Sequence, residues 1–254
     1  MRVVRSIGEL EVEGEVGLVP TMGALHGGHV SLFAAARAEN DVVVASLFVN
    51  PAQFDEQSDL ARYPRDEGRD LEIAERAGVD VIFAPAEQEM YPNGFATWVL
   101  PTDAGAEGEA RPGHFRGVAT VCLKLFNIVR PARAYFGQKD AEQVVVILRL
   151  VRDLNLGVEI RVLPTVRDAD GLALSSRNVR LSPEERAHAL GLPRALAKAA
   201  ASSDPVAAAR AELNGLDPDY VELLDIGGAT ILAAAVRIGS TRLIDNVLVK
   251  GALP

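Results

Sequence analysis

His26 and His29 stand three residues apart in Pro20-Thr21-Met22-Gly23-Ala24-Leu25-His26-Gly27-Gly28-His29, and they are two of only four histidines in 254 residues. Imidazoles on one glycine-rich turn can donate to the same phosphate chain. Gly23, Gly27 and Gly28 let the backbone bend and approach a ligand closely. Three other sets of residues could join them. Lys139, in Phe136-Gly137-Gln138-Lys139-Asp140, can reach a phosphate as a point charge. Ser175, Ser176 and Arg177, in Asp170-Gly171-Leu172-Ala173-Leu174-Ser175-Ser176-Arg177-Asn178, make a compact donor cluster suited to the outer phosphates of a nucleotide. Gln53 and Gln143 add neutral amides able to orient a small polar substrate. Singly, each has an ordinary reading: a tight turn, a solvated lysine, a capped turn. Together they supply the local positive cluster that the chain as a whole lacks.

That lack is plain in the charge balance. With 26 basic against 35 acidic residues and a net charge of −9, general nucleic-acid or anionic-membrane binding is disfavoured. The single cysteine, Cys122, excludes an intrachain disulfide and a cysteine metal cage. It sits in the apolar pattern Val118, Val121, Cys122, Leu125, where packing is its expected role. No His/Cys/carboxylate spacing suggests zinc, and no Ser-His-Asp arrangement surrounds the cluster. The N-terminal residues lead into no long apolar region, and the run from Val42 to Val49 is far too short to span a bilayer. The expectation is a soluble cytoplasmic protein.

The elements that must hold these residues can be read from hydrophobic pattern. Apolar runs at Val16–Val19, Val42–Phe48, Val79–Phe83, Ala134–Phe136 and Val158–Leu163 read as strands. Helical patterns lie near His29–Glu39, Glu67–Ala77, Gly117–Val129 and Ala141–Asp153. Alternation of this kind predicts an α/β fold, a parallel sheet with helices on both faces. Ligands on such sheets bind beyond the carboxyl ends of the strands, and the histidine turn follows the first of these strands directly. Its position before a helix also predicts free N–H groups and a favourable dipole for an anion. Asp103 to His114, rich in glycine and polar residues, reads as a mobile surface loop able to close over a site. After Pro164 the alternation stops. Ser182-Pro183-Glu184-Glu185 predicts a capped helix start, and strands are expected at Tyr220–Ile226, Ile231–Ile238 and Thr241–Val249. Two domains follow, residues 1–166 and a smaller α+β unit at 167–254 that could act as a lid.

The histidine turn is neither the dinucleotide fingerprint nor a Walker A loop; it resembles the HxGH signature of nucleotidyl transferases and class I synthetases. Joined to VNPAQF (49–54), YPR (63–65), RPGHFRGV (111–118), FGQKD (136–140), DGLALSSRN (170–178) and STRLIDN (240–246), it resembles the pantoate–β-alanine ligase family over nearly the whole chain. That resemblance implies a Rossmann-like N-terminal domain, a C-terminal lid, and a homodimer through the N-terminal domains. It implies attack of pantoate on MgATP to give pantoyl adenylate and pyrophosphate, then displacement of AMP by β-alanine.

Residue by residue, the resemblance implies that Met22, Gly23, Ala24, Leu25, His26, Gly27, Gly28 and His29 bind ATP, with His29, His26 and Lys139 catalytic. Gly137, Gln138, Lys139, Asp140, Val166, Leu174, Ser175, Ser176 and Arg177 would complete the ATP site. Gln53 and Gln143 would hold pantoate, with Gln53 also near β-alanine, and Asn50, Tyr63, Glu107 and Arg111 would line the β-alanine side or the closing loop. No protein metal ligand is implied; Mg²⁺ would be held mainly by the phosphates. The sequence departs from the family at Gln138, usually Glu, at Ala141-Glu142, usually an aromatic-Gln pair, and at Gly27. Glu142 is expected to add negative charge beside the site. A nucleotidyl transferase and a nucleotide sensor without chemistry are the competing readings.

Overall fold

The computed structural model describes residues 1–102 and 105–254. Five of its strands occupy the predicted places: β2 (Val16–Thr21), β3 (Val42–Leu47), β4 (Val81–Phe83), β5 (Arg133–Gly137) and β6 (Glu159–Leu163). A sixth, β1 (Arg2–Val4), was not expected; three residues at a sheet edge carry too little pattern to be seen. All six are parallel, in the order β1-β4-β3-β2-β5-β6. The chain therefore builds outward from β2 in one direction, then restarts beside it with β5. The crevice opens where that order reverses, at the carboxyl ends of β2 and β5.

Helices α1 (Gly27–Glu39), α3 (Glu67–Arg76), α6 (His114–Val129) and α7 (Ala141–Asp153) connect the strands, with the short α2 (Gln57–Arg62) and α4 (Glu87–Met90) between. The sheet is covered on both faces. Val19, Leu25, Phe33, Val43, Ala74 and Tyr135 form the core beneath α1 and α3. Leu18, Val44, Phe115, Val118, Phe126, Val144 and Ile147 form the core beneath α6 and α7. Strands buried on both faces explain the continuous apolar runs.

The predicted loop at 103–114 is corrected. Asp103 and Ala104 lie outside the described residues, but Gly105–Ala110 forms a short helix, α5, with Glu107 only 5 % exposed. Alanine and glutamate favour helix, and burial against the C-terminal sheet overrides the glycines around them.

Beyond β6 the capped helix is present as α8 (Pro183–Ala189), where Ser182 Oγ accepts from Glu185 N and Glu185 Oε2 accepts from Ser182 N. Helices α9 (Gly191–Ala199) and α10 (Pro205–Glu212) follow, then an antiparallel sheet β7-β8-β9 (Pro218–Ile226, Ala229–Ile238, Thr241–Lys250). Leu192, Leu196, Leu213, Val221, Leu232 and Val236 pack helices on this sheet. Ile226 and Ile231 of β7 and β8 reach into the core under α6 and α7, tying the two sheets together.

Candidate active site

At the carboxyl end of β2 the chain turns sharply through Gly23 (φ 83°) and Ala24 (φ 51°) and enters α1. The two histidines cap that helix reciprocally. Gly28 N donates to His26 Nδ1 at 3.1 Å, and His26 N donates to His29 Nδ1 at 3.2 Å. With both Nδ1 atoms accepting, each neutral ring carries its proton on Nε2. The rings lie with centroids 4.2 Å apart. Burial, then Lys139, lowers the pKa of His26 to about 4. Burial, then His26, lowers that of His29 to about 3. At neutral pH this is a pair of uncharged N–H donors, a change from the free backbone amides expected at the helix start.

Both rings line a cavity of about 240 Å³ over the β2/β5 crevice. On one side stands Gln53, fixed by a buried network. Asn50, 1 % exposed, donates to Gln53 Oε1 (2.9 Å) and to Gly117 O (3.1 Å), and accepts from Tyr91 Oη (2.8 Å). With its oxygen occupied, Gln53 has its amide N–H₂ left over for a carboxylate or hydroxyl. A Cβ at Gly117 would fall 2.2 Å from Ala52 O, so only glycine lets α6 pack against the 51–53 turn. His114 Nδ1 donates to Gln53 O (2.7 Å), and Arg111 donates to its Nε2 (3.2 Å); burial, then Arg111, holds this imidazole down to about 4. Gln143 from α7 and Tyr63, 7 % exposed, close the same side.

Residues after β6 also contribute. Val166, Leu174, Ser175, Ser176 and Arg177 line the cavity, with Gly137, Lys139 and Asp140 at the end of β5. Lys139 Nζ lies 3.4 Å from Asp140. Arg177 and Arg180 both donate to Asp59 on α2, each at 3.0 Å, which joins the second half of the chain to the first. A second cleft of about 180 Å³ shares Arg111, His114, Lys139, Gln143 and Arg177 with the first. The cavity is thus lined by the histidines after β2, by Gln53 after β3, and by Lys139 and Gln143 after β5. A model of the family described as pantoate-beta-alanine ligase matches residues 2–248.

The chain belongs to the pantoate–β-alanine ligase family. It is 52 % identical to the pantothenate synthetase of Roseiflexus castenholzii over 98 % of this chain and 100 % of that one. It is 54 % identical to that of Moorella thermoacetica, over 92 % and 91 %. The crystal structure of pantothenate synthetase from Thermus thermophilus superposes with a TM-score of 0.91 at 45 % identity, covering 99 % and 100 %. The ligase of Francisella tularensis, complexed with β-γ ATP and β-alanine, gives 0.85 at 37 % identity, with 99 % of both chains covered.

Within this member of the family the structure brings some of the expected site residues to the cavity and places others elsewhere. Of residues 22–29, Met22, His26, Gly28 and His29 line the cavity; Gly23, Ala24, Leu25 and Gly27 do not. The Ala24 and Leu25 amides are committed to Asp70 at 2.8 and 2.7 Å, and Leu25 is buried. Gln138 faces away from both clefts: it is 6 % exposed and donates to Asn246 of β9 at 2.8 Å, fastening the two sheets. The polar atoms of Asn50 are spent inside the protein. Glu107 faces the second cleft only, between Arg111 (3.4 Å) and Arg242 (2.7 Å). Glu142 likewise lines only the second cleft, accepting from Glu107 N at 2.8 Å; burial and Glu222 beside it raise its pKa, which weakens the negative charge expected of it. His114, Asp70 and Asp59 went unnoticed in the sequence. Cys122 lines the cavity wall with its thiol pushed up to about 12 by burial. Among the described residues, no three His, Cys, Asp or Glu side chains are placed to share a metal ion.

Proposed function

We propose that this chain condenses pantoate with β-alanine at the expense of ATP, releasing AMP and pyrophosphate. The observation that carries the reading is the convergence of His26, His29, Lys139, Ser175, Ser176 and Arg177 on a cavity that Gln53 and Gln143 also line. Family membership supports the same reaction.

In this reading the pantoate carboxylate, ionised at neutral pH, needs no general base. Its oxygen attacks the α-phosphorus of ATP, and the bond to the bridging oxygen breaks to release pyrophosphate. The amine of β-alanine then adds to the acyl carbon, AMP leaves with its electron pair, and a proton is lost from nitrogen. The protein's part is to position the two anions and stabilise charge that builds on phosphate oxygens. Two neutral imidazole N–H groups, one ammonium and one guanidinium suit that task. Gln53 N–H₂ orients pantoate, while Tyr63 and Arg111 border the side assigned to β-alanine. Mg²⁺ would be held mainly by the triphosphate, where it would neutralise part of the phosphate charge.

Residues 1–166 form the ATP- and pantoate-binding domain in this account, and 167–254 the lid. A cytoplasmic homodimer through the N-terminal domains is carried over from the family resemblance. The test is pyrophosphate release from ATP. It should require pantoate, while AMP should accumulate over many turnovers only when β-alanine is present. A product that retains the nucleotide would make the protein a nucleotidyl transferase instead.

A further inference from the structure

Asp70 sits on α3, behind the histidine turn and outside both clefts, yet it is 2 % exposed. Its two oxygens are divided between consecutive amides of the turn: Oδ2 accepts from Ala24 N at 2.8 Å and Oδ1 from Leu25 N at 2.7 Å. The same stretch holds two successive left-handed residues, Gly23 at φ 83° and Ala24 at φ 51°. Alanine rarely adopts that conformation without support from its surroundings. A Cβ at Gly23 would come within 2.8 Å of Asp70 Oδ2, so the turn is laid directly on the carboxylate.

We propose that Asp70 is a positioning residue for the first half-reaction: by gripping the amides of Ala24 and Leu25 it fixes the entry of the chain into α1 and thereby aims the Nε2–H groups of His26 and His29 into the cavity. The geometry leaves little slack for another arrangement. His26 follows Leu25 immediately, and its ring is oriented by Gly28 N while its own amide orients His29. A shift of the turn therefore moves both donors together. Displacement of groups that must meet a transition state is costly in rate even when the displaced residue touches no substrate. Asp70 is remote from the substrate, acts through the imidazoles, and has no part in the second half-reaction except through them.

This inference rests on the ligase reading, and the test separates the two. Asp70→Asn preserves size but turns an N–H₂ toward one of the two amides. Single-turnover pyrophosphate release from ATP and pantoate is measured for wild type, Asp70→Asn, His29→Ala and the double variant. Wild type without pantoate-dependent pyrophosphate release sinks the ligase reading itself. Given an active wild type, Asp70→Asn should slow the step by roughly 10- to 100-fold. In the His29→Ala background the same change should cost at least about threefold less than in wild type, because one of the two donors that Asp70 aims is already gone. An equal loss in both backgrounds, or no loss in wild type, overturns the proposal and leaves Asp70 a structural staple. If Asp70→Asn does not fold, Asp70→Glu keeps the charge and both acceptors while pushing them forward, and the same non-additivity is required of it.

Discussion

His26 and His29 present their Nε2–H groups because two backbone amides occupy their Nδ1 atoms. Burial opposes their protonation, so acid does not readily turn them into cations. For these bases the folded-state pKa lies below the ordinary value near 6.5. The stability tied to their neutral form is complete above that value and is lost as pH falls toward 4 for His26 and 3 for His29. Histidine ¹⁵N spectra of the ligand-free protein should therefore show both rings as Nε2–H tautomers from pH 8 down to 5; titration midpoints near 6.5 would contradict the burial argument. His29→Ala should lower turnover by roughly 10²–10³-fold, the scale of one lost transition-state donor, with near wild-type turnover removing its role. The spacing of the histidines made them legible in the sequence. Asn50 and Gln138 were not, because an amide side chain looks the same whether its partner is ligand or protein. Asp70 was hidden among Glu67, Glu72 and Glu75 of one charged helix, where nothing in the sequence separates a gripping carboxylate from solvated ones.

Helix α5 is where composition misled and burial decided. Its glycines read as loop, yet Glu107 is clamped by Arg111 and Arg242, and Glu142 of α7 accepts its amide. Glu142 is held protonated by burial and by Glu222 beside it, which raises its pKa above the usual carboxylate range. The sign follows: the stability of the protonated form is fully present below the unfolded pKa near 4.3 and drains away as pH rises toward the raised value. Glu142→Gln removes that liability. Between pH 5 and 9 its Tm should fall by several degrees less than that of wild type, at about 2–4 °C per kcal/mol for a chain of this size. Equal falls would mean that Glu142 ionises without penalty. The long helices and the Ser182 cap were legible because their signals are local. Helix α5 depends on a sheet more than 100 residues downstream, contacts that no local window contains.

At the scale of the whole molecule, a parallel sheet whose order reverses between β2 and β5 opens a crevice, and the second half of the chain supplies donors to its other side. Strand–helix alternation and the break after Pro164 carried this much in the sequence. The joints were not visible: Asp59 holding Arg177 and Arg180, and Gln138 fastened to Asn246. They couple the halves, so an acidic chain can gather donors from both in one place. The central claim is that this cavity brings a carboxylate oxygen onto the α-phosphorus of ATP. Pantoate labelled with ¹⁸O in its carboxylate tests it most directly, with mass spectrometry of both products. The account predicts one ¹⁸O in AMP and one in the amide carbonyl; label appearing in inorganic phosphate or pyrophosphate, with AMP unlabelled, would contradict it.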